Sequence, residues 1–442
     1  MNGKAADGGA DTWSGQMTTS DLALVAALVF GWGVFSARLE RADLTAPIVF
    51  VAAGLLLTHG PLAPLSISPS PESVRALAEG TLVLVLFTDA SRVDLQTLRA
   101  DWKVYARLLG LGLPLTIGLG IVLALLLFPG MDIWLALLVG AALAPTDAAL
   151  GARMIVNPKV PARLRRLINV ESGLNDGIAT PFVTIALAGA ASAEHIATHG
   201  ALTAVTELAV GLLIGVAVGA TGGFLQRFTR GRGWAAAEFA GPAVLALAAC
   251  AYASSVALHG NGFIAAFVGG LAFGATARPG GERIVPFVED VGGLVSLLTW
   301  LAFGAVAAAP AFANLDWQIA LYAVLSLTVV RMLPVAMALA GSGLGRTVAV
   351  FVGWFGPRGL ASVVFGLLAL ETLDQGDARP AVTIIGITVM LSVVVHGASA
   401  DPIAKRYGPR LAAATTAATP AMQEMPVRQL AHRPAVGRRH SE

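Results

Sequence analysis

Long apolar runs recur along this chain from residue 21 to residue 400, without the polar helix faces that a water-soluble protein would place between them. Runs of this length match the hydrocarbon core of a bilayer. Charged residues are 13% of the chain, about half of the ~25% found in soluble domains. The 50 glycines agree, because small residues let membrane helices approach one another closely. The expected fold class is therefore all-α, a polytopic membrane protein.

The runs resolve into thirteen candidate spans, at about 20–38, 44–58, 72–90, 103–128, 132–156, 162–190, 200–228, 238–258, 260–277, 284–309, 316–341, 346–371 and 380–400. The second and ninth are short. The segment 1–19 is polar and Gly/Ala-rich and reads as a disordered N-terminus. The membrane domain covers 20–400, and 401–442 reads as a short basic cytoplasmic tail. Met17 is a candidate initiator, and the first apolar run, with no basic region before it, reads as a retained helix. Basic residues alternate between loops. Arg38 and Arg41, Arg92 and Arg99, Arg163 to Arg166, Arg227 to Arg232, and Arg346 fall on one side. Lys4 and Arg379 fall on the other. The positive-inside rule then places the N-terminus outside and the C-terminus in the cytoplasm.

The stretch from Val139 to Phe182 carries polar groups that a lipid-facing helix would not keep. A charge at mid-bilayer costs about 2.5–3.5 kcal/mol on insertion scales, so it needs a partner, a water-filled cavity or a function. In INVESGLNDGIATPFV, Ser172 and Asp176 share a helix face at i, i+4, with Glu171 and Asn175 on the adjacent face. A hydroxyl, an amide oxygen and a carboxylate can replace the oxygen shell of a hard monovalent cation, and the same carboxylate can take a proton when the ion leaves. In the fifth span, Pro145 interrupts the helix at Thr146 and Asp147. The break frees carbonyls and helix-end dipoles. Thr146 offers an oxygen to the ion, and Asp147 is suited to neutralise the N-terminal end of a half-helix. A matching break, Gly356-Pro357-Arg358-Gly359, interrupts the twelfth span, where Arg358 would compensate the opposite half-helix end. The two breaks enter from opposite sides, as an inverted repeat of about six helices would require. Arg331, deep in the eleventh span, calls for a carboxylate partner, and Glu171 is the natural one because Asp176 must stay available to exchange its load. Asp89 is a possible accessory group at the cytoplasmic end of the third span. His59, His195, His199, His259 and His396 read as interfacial.

Other chemistries lack a motif. There is no phosphate loop to imply ATP, no nucleophile elbow, and no histidine pair at metal-ligand spacing within a helix. The net charge of +2 suggests no nucleic-acid partner, and Cys250, the single cysteine, excludes an intrachain disulfide. No cofactor, resident metal or enzymatic activity is expected.

With ESGLNDG at 171–177, APTD at 144–147 and GPRG at 356–359, residues 20–405 resemble the monovalent cation/proton antiporters of the sodium/proton exchanger branch. The resemblance implies a thirteen-helix inverted repeat with two broken, crossing helices, and a homodimer in the cell membrane. It implies that Asp176 binds cation and proton in turn, supported by Asn175, Ser172 and Thr146. It also implies that Asp147 and Arg358 serve the crossing and that Glu171 pairs with Arg331. One ionisable group in the Asn175-Asp176 pair fits electroneutral exchange, one cation for one proton, by alternating access. Na⁺ is the expected cation. K⁺/H⁺ antiport or K⁺ efflux is the alternative, with Li⁺ a further candidate ion and an ion channel a distant alternative. Some sodium-transporting relatives carry a Glu where this chain reads Thr88-Asp89.

Overall fold

The structure, a computed structural model, describes residues 19–42, 44–59, 70–147, 149–150, 160–193, 200–281, 284–373 and 375–415. Helices account for its regular structure, and no strand occurs among the described residues. The chain opens with α1 (Thr19–Arg41), α2 (Ala46–His59) and α3 (Pro71–Arg92), followed by the short α4 (Leu95–Ala100). The next long rod comprises α5 (Trp102–Arg107), a π segment (Leu108–Gly112) and α6 (Leu113–Leu127). Then come α7 (Ile133–Ala142), α8 (Ala162–Ala193), α9 (Gly200–Gly231), α10 (Ala237–Ala257) and α11 (Gly262–Thr276). A second rod joins α12 (Val285–Phe303), a π segment (Gly304–Ala308) and α13 (Ala309–Ala313). The chain continues through α14 (Trp317–Leu327), α15 (Val329–Leu339), α16 (Gly345–Trp354), α17 (Leu360–Thr372) and α18 (Gln375–Thr415). Eight helical stretches are long and apolar enough to cross a membrane, and four shorter apolar helices accompany them.

Small residues set the packing. A Cβ on Gly304 would lie 2.3 Å from the Val51 carbonyl, and one on Gly54 would lie 2.2 Å from that of Leu301. Close approach of α2 therefore coincides with the π segment that follows α12, where the widened turn shifts the ladder by one residue. Gly219 and Gly269 let α9 and α11 touch backbone to backbone, with an added Cβ on Gly219 only 2.2 Å from the Gly269 carbonyl. The apolar outer surface of α9 is left exposed, including Leu213, Val216 and Phe224, as expected for a face that meets lipid.

The elements depart from the expected spans at identifiable points. The fifth leaves the helix after Ala142, and Ala144–Asp147 follow without helix at the break expected there, while 151–156 lie outside the described residues. The eleventh is divided at Thr328, whose φ of −109° and ψ of −87° separate α14 from α15. The last helix runs through residue 401 to Thr415. His59 and His259 are exposed, but His396 is buried inside α18, contrary to the interfacial reading. A histidine whose Nε2 donates to a carbonyl and whose Nδ1 accepts from a hydroxyl has no need of the membrane surface. The initiator at Met17, the segment 1–18, His195, His199 and the tail beyond 415 lie outside the described residues.

Candidate functional site

Two interrupted helices and one continuous helix build the site. The nonhelical segment after α7 and the nonhelical segment between α16 and α17 cross in direct contact. The Asp147 N–H donates to the Pro357 carbonyl at 2.8 Å. Asp147 Oδ1 accepts from Ala149 N at 2.8 Å, and Oδ2 accepts from Leu360 N at 3.1 Å. Its carboxylate therefore caps the first turn of α17, a half-helix contributed by the other break, where unsatisfied N–H groups carry partial positive charge. Only glycine fits the contact. A Cβ at Gly359 would stand 2.3 Å from Asp147 Cβ, and one at Gly356 would stand 3.0 Å from Thr146 Cγ2 and 2.5 Å from Arg331 Nε.

Arg358 is fully buried. Its Nη1 donates to the Gly356 carbonyl at 2.8 Å and its Nη2 to the Ser326 carbonyl at 3.3 Å. These oxygens lie just past the C-terminal end of α16 and in the last turn of α14, where the helix dipoles are negative. The break of the eleventh span at Thr328 has a physical role here, because it ends α14 where the guanidinium can reach Ser326.

The continuous helix α8 supplies the third wall. Thr146 Oγ1 and Ser172 Oγ are 3.0 Å apart, and Asn175 Nδ2 donates to Thr146 Oγ1 at 2.7 Å. That leaves Asn175 Oδ1 buried with no hydrogen-bond partner among the described residues, an acceptor whose desolvation is uncompensated. Asp176 is one turn beyond Ser172 and 7% exposed. Thr146, Asp147, Ser172, Asp176 and Asp89 line one cavity of about 30 Å³, which reaches Arg92 and Val93 at the C-terminal end of α3. At ~10–15 Å³ per water position, that is space for a couple of waters or a small ion, not for an organic metabolite. Its lining carries three carboxylates, Asp89, Asp147 and Asp176, against the one guanidinium of Arg92, so the charge it suits is positive. Asp89 is partly buried and joins the cavity because α8 is stripped of bulk opposite it. A Cβ added at Gly173 would contact Asp89 Cβ at 3.5 Å.

Beside the cavity, Arg331 Nη2 donates to Glu171 Oε1 at 2.6 Å, with both side chains 3% exposed. The pair ties α15 to α8. The site residues named from the sequence thus fall in one cluster around the crossing. The sequence marks Gly356 and Gly359 as part of the break but not as the contact with Thr146 and Asp147, and it passes over Val85 and Asn169 in the cavity wall. It also passes over Ser392 of α18, whose Oγ accepts from Arg358 N at 2.7 Å. The polar pair Ser392 and His396, four residues apart in an apolar run, was the available signal.

Comparison with known proteins bears on this geometry. The family model described as "Sodium/hydrogen exchanger, transmembrane" matches residues 24–406. The chain belongs to the sodium/hydrogen exchanger family. The chain is 27% identical over 316 residues to "Na(+)/H(+) antiporter 2" of Zygosaccharomyces rouxii, across 62% of its own length and 38% of the relative. It is 26% identical over 379 residues to "K(+)/H(+) antiporter NhaP" of Alkalimonas amylolytica, across 84% of this chain and 64% of the relative. The matches therefore span less than two thirds of these relatives' lengths. Among solved structures, the sodium proton antiporter MjNhaP1 of Methanocaldococcus jannaschii superposes with a TM-score of 0.72. It is 18% identical and matches over 88% of this chain and 98% of its own. That likeness shows that the two share a fold, and the family together with the apolar helices makes this chain a multi-pass membrane protein.

Proposed function

We propose that this protein is a secondary antiporter that exchanges one monovalent cation, Na⁺ in the first instance, for one proton. Alternating access carries the load across the cell membrane, and the protein works as a homodimer with its N-terminus outside and its C-terminus in the cytoplasm. The observation that carries the reading is the small, carboxylate-lined cavity beside two crossing breaks, with Asp176 in its wall and the Thr146 and Ser172 hydroxyls within hydrogen-bond distance of each other.

The charges at the crossing explain the stoichiometry. Asp147 faces the positive end of α17 and Arg358 faces carbonyls at negative helix ends, so each is compensated where it stands. Glu171 and Arg331 cancel each other. Asp176 is then the group whose charge changes with its load. Bound cation or bound proton neutralises it, and both loaded forms carry the same charge through the low-dielectric barrier. The unloaded carboxylate would take a net negative charge into that barrier, which resists crossing. Thr146 and Ser172 supply hydroxyl oxygens to the cation, Asn175 its amide oxygen, and Asp89 extends the acidic lining toward the α3 end.

The test is flux in proteoliposomes with Na⁺, Li⁺ and K⁺ compared at several pH values. Proton flux driven by a cation gradient, insensitive to a clamped membrane potential, is the expected result. Currents far above carrier turnover, or flux without proton coupling, would instead indicate a channel. K⁺/H⁺ exchange is kept as a second reading, because one relative is named a K⁺/H⁺ antiporter and Thr88-Asp89 alters the acidic wall at α3.

A further inference from the structure

In the last helix, the run LSVVVHGASA places two polar side chains, Ser392 and His396, four residues apart on one face. Both are buried. That face meets the nonhelical segment Phe355–Gly359, where the backbone has left one helix and not yet entered the next. Segments of this kind hold N–H and C=O groups that no ladder satisfies, and in a membrane interior water does not substitute. At one end of the segment, the Arg358 N–H donates to Ser392 Oγ at 2.7 Å. At the other, His396 Nε2 lies 2.9 Å from the carbonyl of Trp354, the last residue of α16. A carbonyl only accepts, so the bond requires a hydrogen on Nε2. With that hydrogen on Nε2, Nδ1 of the neutral ring is an acceptor and takes the Ser392 hydroxyl hydrogen at 3.2 Å, while the Ser392 carbonyl 2.9 Å away is a contact with no hydrogen between the two atoms. The Trp354 ring packs on the imidazole with centroids 5.5 Å apart and donates from Nε1 to Ser399 Oγ at 3.1 Å. The charged groups that act electrostatically on the ring are the guanidiniums of Arg358 and Arg331.

We propose that His396 is a positioning residue of the transport reaction. With Ser392 it clamps both ends of the crossing segment to α18, and so fixes the register in which Gly356 meets Thr146 and Gly359 meets Asp147. The proposal rests on the antiport reading for its transport readout, and it has a second readout that does not. None of the atoms in the clamp touches the cation cavity. Loosening it displaces the Thr146 oxygen and weakens cation binding, with little effect on the crossing of a loaded carrier.

The experiment compares Ser392→Ala, His396→Phe and His396→Gln in proteoliposomes, and records histidine ¹⁵N spectra of the whole protein in nanodiscs at neutral pH. Loss of one net buried hydrogen bond raises the cation KM about fivefold in Ser392→Ala and in His396→Phe, with maximal rate held within about twofold. His396→Gln, whose amide N–H can reach the same carbonyl, recovers most of the affinity. A purely structural role would instead lower the yield of folded protein and the maximal rate, leave KM alone, and show no rescue. In the spectra, the resonance that disappears in His396→Gln reports a hydrogen on Nε2, and Ser392→Ala moves its Nδ1 partner. An unchanged KM in Ser392→Ala together with an unrescued His396→Gln overturns the proposal, and so does an Nε2 that carries no hydrogen. Should His396→Phe fail to fold, Ser392→Ala and His396→Gln decide the matter. Should the wild-type protein exchange no cation at all, the antiport reading fails and the Nε2 resonance alone decides the clamp.

Discussion

Removing one partner of the Glu171–Arg331 pair is predicted to cost far more than removing both. The two side chains are each 3% exposed and meet at 2.6 Å, so deleting either carboxylate or guanidinium leaves a charge buried without its partner. Breaking a buried pair in this way costs about 3–5 kcal/mol, which lowers the folded-to-unfolded ratio by roughly two to three and a half powers of ten. The surroundings offer Arg331 little relief. Its Nε has no hydrogen-bond partner among the described residues, and neither does Glu171 Oε2. Gly356 abuts the guanidinium at a distance that a methyl group would close to 2.5 Å. The double replacement Glu171→Gln with Arg331→Met removes both charges and roughly keeps the volume; apolar replacement of such a pair is often neutral or stabilising by about 1–4 kcal/mol, and the buried Gln amide offsets about 1–3 kcal/mol of that. Glu171→Gln and Arg331→Met alone should therefore each destabilise the protein, and the double variant should be more stable than either, with a coupling above about 2 kcal/mol. Equilibrium unfolding of the four proteins in mixed micelles measures it, and stability is the right readout because Glu171 adjoins the site residue Ser172. If the two losses simply add in the double variant, the pair is not a unit and the reasoning fails.

Four further outcomes follow from the same geometry. Asp176→Asn should abolish cation/proton exchange while the purified protein elutes and unfolds like wild type, since it removes a buried charge and keeps the shape; residual coupled flux would contradict the assignment. Asp147→Ala deprives Ala149 N and Leu360 N of their acceptor and should cost about 1–2 kcal/mol, much of which Asp147→Asn restores; thermal unfolding of the pair checks this. Gly359→Ala brings a methyl group to 2.3 Å from Asp147 Cβ, an overpacking worth about 1–3 kcal/mol, and should stop flux measured on the protein that still folds. For pH, protons and cation compete for one carboxylate, so on the acid side of its titration the cation KM should rise toward about tenfold per pH unit with maximal rate spared. A maximal rate that falls at constant KM would point to a separate proton site.

What was legible in the sequence follows from the cost of polar groups in lipid. Asp147, Glu171, Asp176, Arg331 and Arg358 stand out because each interrupts a run that otherwise has no reason to be polar. The Pro145 and Pro357 breaks are equally visible, since proline lacks the donor that a helix needs. Which groups meet is harder to read. The depth of Arg331 and the availability of Glu171 suggested their pairing, but no rule of spacing says that Asp147 caps α17 across the crossing, or that Arg358 reaches back to Ser326. Those contacts depend on where three separate helices end, and helix ends in an apolar run leave no compositional mark. An apolar dipeptide such as Leu143-Ala144 looks the same whether it continues a helix or leaves one; here it leaves one. The break at Thr328 is likewise silent, because its reason lies on a different element, the guanidinium that takes the Ser326 carbonyl.

The misreading of His396 carries the same lesson in the opposite direction. Histidine near the end of an apolar run suggests the interface only if the run ends there, and α18 continues through Thr415. Once the helix is extended, the ring lies well inside it and must find partners in protein. It finds the Trp354 carbonyl, which has left the helical ladder because α16 stops at that residue, and which also accepts from Gly356 N at 2.8 Å. A break in one helix thus creates the requirement, and a polar residue on a neighbouring helix meets it. Broken helices in a membrane are stable only as far as such external partners are supplied. Asp147 N and Leu360 N, the Arg358 guanidinium, Trp354 O and Arg358 N each have one here. The partners come from α14, α18 and the opposite break, so the crossing is held from several elements at once, and any one of them is a place where its geometry can be disturbed without touching the cation.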